Sequence, residues 1–284
     1  MKALLALALI ALIWGYNWVV MKEALRYAGP FEFLAWRFAL AGVLLLGMLA
    51  AMKRPLRLRF PLEVFLIGFF QTACNFGLVV WALTTGAAGK SSVLTYTMPF
   101  WVVLIAWPVL RERPSPLQWG GIALGLAGIV MLLGEGTAVG AGWLALAAGV
   151  TWSIGVVIAK RLQTREKVDA ISMSAWQSLA GGACLILLAL AFPSPRDTEW
   201  TPYFVFALVY NAVLVSALCW ALWFWVLARL EAGLASLSVL AVPVVGTLAG
   251  MAELGERPSP MEWAGMALVI AALSLVALAA SRAR

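Results

Sequence analysis

Long apolar runs alternate with short polar or proline-containing segments along the whole chain. A run of about 20 apolar residues is long enough to cross the hydrocarbon core of a membrane as an α-helix. Joints such as Arg113-Pro114-Ser115-Pro116 do not continue a helix comfortably. The pattern predicts ten membrane-spanning helices over residues 3–21, 31–51, 62–83, 91–110, 117–133, 141–159, 170–192, 203–228, 233–252 and 261–280.

The composition supports a membrane protein and excludes a water-soluble globule. Of 284 residues, 64% are apolar and only 12% are charged, which is about half the charge share of an ordinary soluble domain. Ten helices would use about 200 residues and leave roughly 80 for connections and ends, so no room remains for a soluble domain. We therefore expect an all-α integral membrane protein.

The residues that the chain lacks limit its chemistry. It contains no histidine, the usual acid–base group, proton relay and metal ligand near neutral pH. Its cysteines, Cys74, Cys184 and Cys219, all lie inside apolar runs, where a small buried hydrophobic side chain is expected. We expect no catalytic residue, no metal site and no cofactor.

Lysine and arginine are distributed unevenly between alternate loops. If the N-terminus is cytoplasmic, fourteen of them fall in inner segments, at residues 2, 53–59, 111–113, 160–167, 229 and 282–284. Five fall in outer segments: Lys22, Arg26, Lys90, Arg196 and Arg257. The positive-inside rule then places both termini in the cytoplasm and the chain in the plasma (inner) membrane. The net charge is +7, and because the basic residues follow this topology pattern, we expect contact with membrane lipid rather than with nucleic acid.

The two halves of the chain repeat each other. Glu-Arg-Pro-Ser-Pro at 112–116 recurs at 256–260, an interval of 144 residues. The same interval relates Trp81 to Trp225, Gly89 to Gly233, Ser92 to Ser236, Pro99 to Pro243, Trp119 to Trp263 and Gly121 to Gly265, and an interval of 138 relates Trp14 to Trp152 and Lys22 to Lys160. We divide the chain into repeats at 1–134 and 135–284. Each has five helices, an odd number, so the second must have the opposite orientation, as in secondary transporters whose substrate site lies between inverted repeats.

These features together resemble a known family. A proline in the fourth helix, a Glu-Arg loop and a fifth helix that runs from Gln118 to Gly128 as Gln-Trp-Gly-Gly-Ile-Ala-Leu-Gly-Leu-Ala-Gly are similar to the EamA repeat of the drug/metabolite transporter superfamily. The resemblance covers nearly the whole chain and implies ten helices around a central cavity. It also implies peripheral fifth and tenth helices, through which a homodimer could form near Trp119 and Trp263.

Members of this superfamily move small solutes, and the chain resembles its branch of YddG-type amino acid exporters. The second half departs from the first, with Leu234 opposite Lys90 and Val245 opposite Trp101. We therefore expect the two halves to contribute unequally to a site.

Polar and aromatic side chains within the spans are candidates for substrate binding, because such residues usually face a cavity or a neighbouring helix. Trp14 and Asn17 share one face of the first helix with Trp18 and Met21, and Gln71 and Asn75 share a face of the third. Hydrogen bonds between helices are the alternative role for each. The substrate-binding candidates are Trp14, Asn17, Gln71, Asn75, Tyr96, Trp101, Trp152, Trp176, Gln177, Tyr210, Asn211 and Trp220.

Two charged residues and two prolines complete the candidates. Arg37, about 9 Å into its helix, and Lys90 could attract a substrate carboxylate, or their side chains could extend to the membrane surface. Pro99 and Pro243 each remove a backbone hydrogen bond, so they could act as hinges or produce static kinks.

The sequence thus favours a transporter that exports small amphipathic metabolites, most simply amino acids including aromatic ones, by alternating access. No Asp or Glu falls in the centre of a predicted span, so a facilitated or exchange mechanism is preferred to ion coupling. An exporter of lipophilic cations is the alternative, although such an exporter is expected to have a carboxylate in the centre of a span to pair with the cation. An intramembrane enzyme is disfavoured because the chain has no histidine and no carboxylate in the centre of a span. A channel is disfavoured because no repeated rings of charged residues or carbonyls are visible.

Overall fold

A computed structural model describes residues 2–134, 139–229 and 241–282, and the regular structure in these ranges is entirely helical. Its helices are α1 (Lys2–Ala24), α2 (Pro30–Ala51), α3 (Pro61–Thr85), α4 (Ala88–Leu110), α5 (Pro116–Gly134), α6 (Val139–Arg165), α7 (Ala170–Ala191), α8 (Pro202–Leu227), α9 (Ala241–Leu254) and α10 (Pro260–Arg282).

By length and composition, the eight helices α1 to α8 can each cross a membrane. Two shorter apolar stretches, Ala241–Leu254 and Pro260–Val276, follow in the described residues. The sixth helix continues to Arg165, six residues beyond its predicted end. The predicted start of the ninth helix, with Gly233, Leu234 and Ser236, lies outside the described residues.

The repeated loop motif has a local structural role at the start of α5 and α10. Ser115 and Gln118 exchange hydrogen bonds between side chain and backbone at 2.7 and 3.3 Å. Ser259 and Glu262 do the same at 3.0 and 3.1 Å. Both are capping boxes, which satisfy amide groups that the first helical turn leaves free. The proline after each serine occupies the first helical position, where its missing N–H costs nothing.

Three helices are irregular in the middle of the bundle, and one of the irregularities lies beside Pro99, where a hinge or kink is expected. A π-helical segment occupies Gly68–Cys74 in α3 and another occupies Tyr210–Leu218 in α8. The fourth helix consists of Ala88–Thr95 and Met98–Leu110. Pro99 lies in the first turn of the second part, and it has no N–H to donate to the carbonyl of Thr95, four residues earlier.

The helices pack in pairs around the bundle centre. The principal pairs are α1 with α9, α4 with α6 and α9, α2 with α7, α3 with α6 and α7, α8 with α1 and α2, and α5 with α10. Close approach of α5 and α10 depends on glycine, because a Cβ atom at Gly128 would lie 2.8 Å from the carbonyl oxygen of Gly265. These small-residue faces are therefore occupied within the chain. Trp119 and Trp263 remain 42% and 43% exposed.

Candidate functional site

A central cavity lies where α1, α3, α4, α6 and α8 meet. Six of the sequence candidates line it: Trp14, Asn17, Asn75, Tyr96, Trp152 and Trp220. The first four belong to the first half of the chain and the other two to the second. The cavity has a volume of about 40 Å³, which is room for about three water molecules. In this conformation the cavity must widen before it can hold a metabolite.

Aromatic rings form most of the cavity wall. The rings of Trp14 and Trp220 lie 5.9 Å apart, and those of Trp18 and Tyr96 lie 6.3 Å apart with edge-to-face geometry. Trp152 packs against Trp223 at 5.0 Å. These separations are typical of favourable aromatic pairs. The wall therefore suits an apolar or aromatic side chain.

The polar groups at the cavity differ in whether they already have partners. Asn75 donates from Nδ2 to the carbonyl of Ala148 at 2.9 Å, and Trp14 donates from Nε1 to the carbonyl of Val215 at 3.1 Å. In contrast, Asn17 Oδ1 and Trp220 Nε1 are buried and have no hydrogen-bond partner among the described residues. Unpaired buried polar atoms are costly, so each of these two atoms would gain from a hydrogen bond to a ligand.

Three candidates in the first half and in α7 lie away from the cavity. Gln71 is buried, and neither amide atom has a partner among the described residues. Trp101 donates from Nε1 to Thr97 Oγ1 at 3.2 Å within its own helix. Gln177 accepts a hydrogen bond from Thr72 Oγ1 at 2.6 Å, which joins α7 to α3. The bonds of Trp101 and Gln177 are structural contacts of the kind weighed against substrate binding.

Three further candidates have similar contacts elsewhere. Trp176 donates from Nε1 to the carbonyl of Leu56 at 3.2 Å, at the arginine-rich end of the bundle. Tyr210 donates from its hydroxyl to the carbonyl of Ile13 at 2.9 Å and so joins α8 to α1. Asn211 donates from Nδ2 to Ala207 in the preceding turn at 2.9 Å. None of the three lines the central cavity.

The two charged candidates have different environments. Lys90 forms an ion pair with Glu262 at 3.1 Å near the start of α4. Arg37 is 0% exposed; its side chain does not extend to the surface. Its Nε donates to Ser216 Oγ at 2.8 Å, and its Cζ lies 4.3 Å from the ring centre of Phe76.

Four cavity residues were not singled out in the sequence: Phe76, Val79, Met98 and Val215. They are apolar, and an apolar side chain in a membrane helix carries no sign of what it faces. The available signal was position, because Val79 follows Asn75 by one helical turn and therefore shares its face.

The candidate hinges Pro99 and Pro243 are both buried. Beside the break in α4, the carbonyl of Thr95 lies against Gly149 of α6, where a Cβ atom would approach it to 2.6 Å. The described residues contain no group of three Cys, Asp or Glu side chains placed to hold a metal ion.

Each end of the bundle has its own polar contacts between loops. At one end Arg54 pairs with Asp169 at 2.7 Å and Arg59 with Glu166 at 4.0 Å. At the other end are the ion pair of Lys90 and a hydrogen bond from the Glu199 amide to the Tyr27 carbonyl at 2.7 Å. In these contacts, loops predicted for one side of the membrane bond to loops predicted for the same side.

The chain is similar to known transporters over almost its full length. It is 29% identical over 264 residues to the uncharacterized transporter YoaV of Bacillus subtilis, covering 90% of each chain. It is 28% identical to the uncharacterized inner membrane transporter YedA of Escherichia coli, covering 96% of this chain and 90% of that one. It is 27% identical to a probable amino-acid metabolite efflux pump of Salmonella typhimurium, covering 93% and 91%.

A solved crystal structure has the same fold, with a TM-score of 0.72, 24% identity and 99% of both chains covered. The model of the EamA-like transporter family matches twice, over residues 1–134 and 140–278. Family and relatives indicate a membrane-spanning transporter rather than an enzyme. The chain belongs to the EamA-like transporter family.

Proposed function

We propose that this protein is a secondary transporter that exports small amphipathic metabolites, specifically amino acids including aromatic ones, by alternating access. The observation that carries the proposal is the central cavity, to which both halves contribute aromatic walls and unpaired polar atoms. Such a cavity suits a solute with a polar end and an apolar side chain. The name of the Salmonella relative supports amino acids as the substrate class.

The packing of the helices supports two inverted halves of five helices each. If each helix is replaced by the helix five places away in the chain, the packed pair α1–α9 becomes the packed pair α6–α4, and α3–α7 becomes α8–α2. The packed pairs α2–α7 and α5–α10 are unchanged by this replacement. The π segments of α3 and α8 end at Cys74 and Leu218, 144 residues apart. A pseudo-two-fold axis relating 1–134 to 135–284 would produce this pattern.

We also propose that both termini are cytoplasmic. The basic segment 53–59 contacts residues 166–169 at one end of the bundle, and this end holds most of the lysines and arginines. The positive-inside rule places it in the cytoplasm. The inner membrane of the Escherichia coli relative's name agrees with a plasma-membrane location.

Transport is proposed to be facilitated or to proceed by exchange, without ion coupling. The buried polar side chains of the described residues include amides, hydroxyls and Arg37, but no carboxylate. A homodimer is proposed to form through the outer face of α5 and α10, where Trp119 and Trp263 are exposed. Membrane lipid would cover this face in a monomer.

Counterflow in proteoliposomes tests the proposed function. Purified protein is reconstituted into vesicles loaded with single amino acids or cationic dyes, and uptake of the labelled solute is followed, with protein-free vesicles as the control. Saturable exchange of an amino acid supports the proposal. Flux that does not saturate would indicate a pore, and saturable exchange of dyes alone would indicate a cation exporter.

A further inference from the structure

Arg37 is the one charged side chain buried in the described part of the chain. It lies on α2, and the contacts of its guanidinium among the described residues are all with neutral groups. Nε donates to Ser216 Oγ at 2.8 Å, Nη1 lies 3.4 Å from Met21 Sδ, and the rings of Phe38 and Phe76 lie 4.7 and 4.3 Å from Cζ.

The positive charge of Arg37 has no acidic partner among the described residues. The ion pairs found there involve Lys22, Arg26, Arg54, Arg59 and Lys90. One guanidinium nitrogen, Nη2, is buried without a hydrogen bond. A charge buried in a membrane protein is expensive unless it is paired. An anion bound in the neighbouring cavity would supply the partner that the described residues do not provide.

Arg37 lies one side chain behind the wall of the central cavity. Met21 and Phe76 both line the cavity and both contact the guanidinium. Methionine is unbranched and flexible, so a change in its rotamer, together with a tilt of the Phe76 ring, would open Arg37 to the cavity. The ring of Phe76 also lies 6.4 Å from that of Trp220, whose indole N–H is the unpaired donor at the cavity.

We infer that Arg37 selects substrates with a carboxylate, an inference that rests on the proposed function and specifies its substrate class. The carboxylate accepts hydrogen bonds from Arg37 Nη2 and Trp220 Nε1, while an ammonium group donates to Asn17 Oδ1. The two unpaired donors thus match the carboxylate of a zwitterion, and the unpaired acceptor matches its ammonium group. The same positive charge disfavours lipophilic cations in the cavity.

Competition on the wild-type protein tests the charge preference. The amino acid with the strongest counterflow competes with its own amide, which lacks the carboxylate, and with its decarboxylated amine. We expect the amino acid to compete at a concentration roughly 5- to 150-fold lower than the other two. Equal potency of all three would overturn this inference and leave amino acid transport standing. Absence of saturable exchange for every amino acid would instead overturn the proposed function.

Variants locate the preference at Arg37. R37Q is expected to lose the discrimination between amino acid and amine, and R37K to keep part of it, because a lysine is charged but lacks the forked guanidinium. The matched control is R26Q, since Arg26 is an exposed arginine paired with Glu23, and it should keep the wild-type preference. Folded R37Q with an unchanged preference would overturn the inference. If R37Q does not fold, the melting temperature of the wild-type protein is measured with each compound instead. The amino acid should raise the melting temperature, and an equal rise with the amine would overturn the inference.

Discussion

The Lys22 ammonium lies 3.3 Å from a carboxylate oxygen of Glu256, and the same carboxylate accepts hydrogen bonds from the amides of Ala88 and Gly89 at 2.5 and 2.9 Å. Lys22 also donates to the carbonyl of Gly86 at 2.8 Å. The end of α1, the first turn of α4 and the loop before α10 are thus joined at one carboxylate. A negative charge is favourable there, because amide N–H groups at the start of a helix attract anions.

Replacing Glu256 by alanine should destabilise the protein. Glu256 is largely shielded from solvent, with its side chain 11% exposed, and hydrogen bonds to charged groups contribute about 1.5 to 3 kcal/mol each. We expect the melting temperature of the purified protein to fall. The control is E23A, because the pair of Glu23 with the 69% exposed Arg26 should contribute about 0 to 1 kcal/mol. Equal melting temperatures for the two variants would contradict a special role for Glu256.

Replacing Gly155 by alanine should also destabilise the protein. A Cβ atom at Gly155 would lie 2.2 Å from Cγ of Gln71, so α6 and α3 would have to move apart or Gln71 would have to change rotamer. Overpacking of this kind costs about 1 to 3 kcal/mol. Gly120 of α5 is the matched control, because a Cβ there meets no atom within 4 Å. If G155A has the same melting temperature as G120A, the contact between α6 and α3 can accommodate the added methyl group without loss of stability.

Replacing Pro99 or Pro243 by alanine should slow transport more than it lowers the yield of folded protein. At position 99 the new N–H could bond to the Thr95 carbonyl and make α4 continuous, which would stiffen a helix that we propose must bend. Counterflow rates are compared with those of P108A, because Pro108 lies inside the same helix on its exposed side. Full transport in both P99A and P243A would mean that the prolines only contribute to packing.

Single amide replacements should separate substrate binding from helix packing. N17A is expected to weaken apparent substrate affinity by roughly 5- to 150-fold, because the Asn17 oxygen is unpaired at the cavity. Q177A is expected to lower the melting temperature instead, since Gln177 joins α7 to α3 through Thr72 at 2.6 Å. Affinity and stability are measured on both variants. Unchanged affinity in N17A would remove Asn17 from the substrate site.

The proposed orientation can be checked by labelling single cysteines in intact cells. Cysteine at Ser194 should react with a membrane-impermeant reagent added from outside, because the 193–201 segment lies at the end opposite the basic loops. Cysteine at Leu56 should react only after the cells are opened. The native cysteines are first replaced, so that the background is unreactive. The reverse pattern would invert the topology.

The helices could be predicted from sequence because a membrane leaves few alternatives. A backbone in hydrocarbon must satisfy its own hydrogen bonds, so each long apolar run becomes a helix whatever its detailed order of residues. The break at Tyr96 and Thr97 agrees with the irregular backbone expected at Pro99, but the π segments could not be predicted in this way. They depend on how carbonyls and side chains pair between helices, as when Trp14 bonds to the carbonyl of Val215 in α8.

The candidate site was harder to predict, because residue type does not determine which neighbour a side chain meets. Asn17 and Gln177 are both buried amides in apolar helices, yet the first lies at the cavity and the second bonds to Thr72. Arg37 shows the same limit. Its position near a helix end is compatible with a side chain that reaches the surface, and only the surrounding Met21, Phe38 and Phe76 side chains show that it is buried.

The two π segments also bear on how closely the two matched halves correspond in structure. A π turn holds more residues than an α turn, so each segment amounts to a local insertion into an α-helix. The insertions end at Cys74 and Leu218, at the same interval as the repeated Glu-Arg-Pro-Ser-Pro motif. Since one family model matches both halves, we expect the two segments to occupy the same place in the repeat, in its third helix. A relative that consists of a single five-helix repeat should therefore carry one π segment in its third helix.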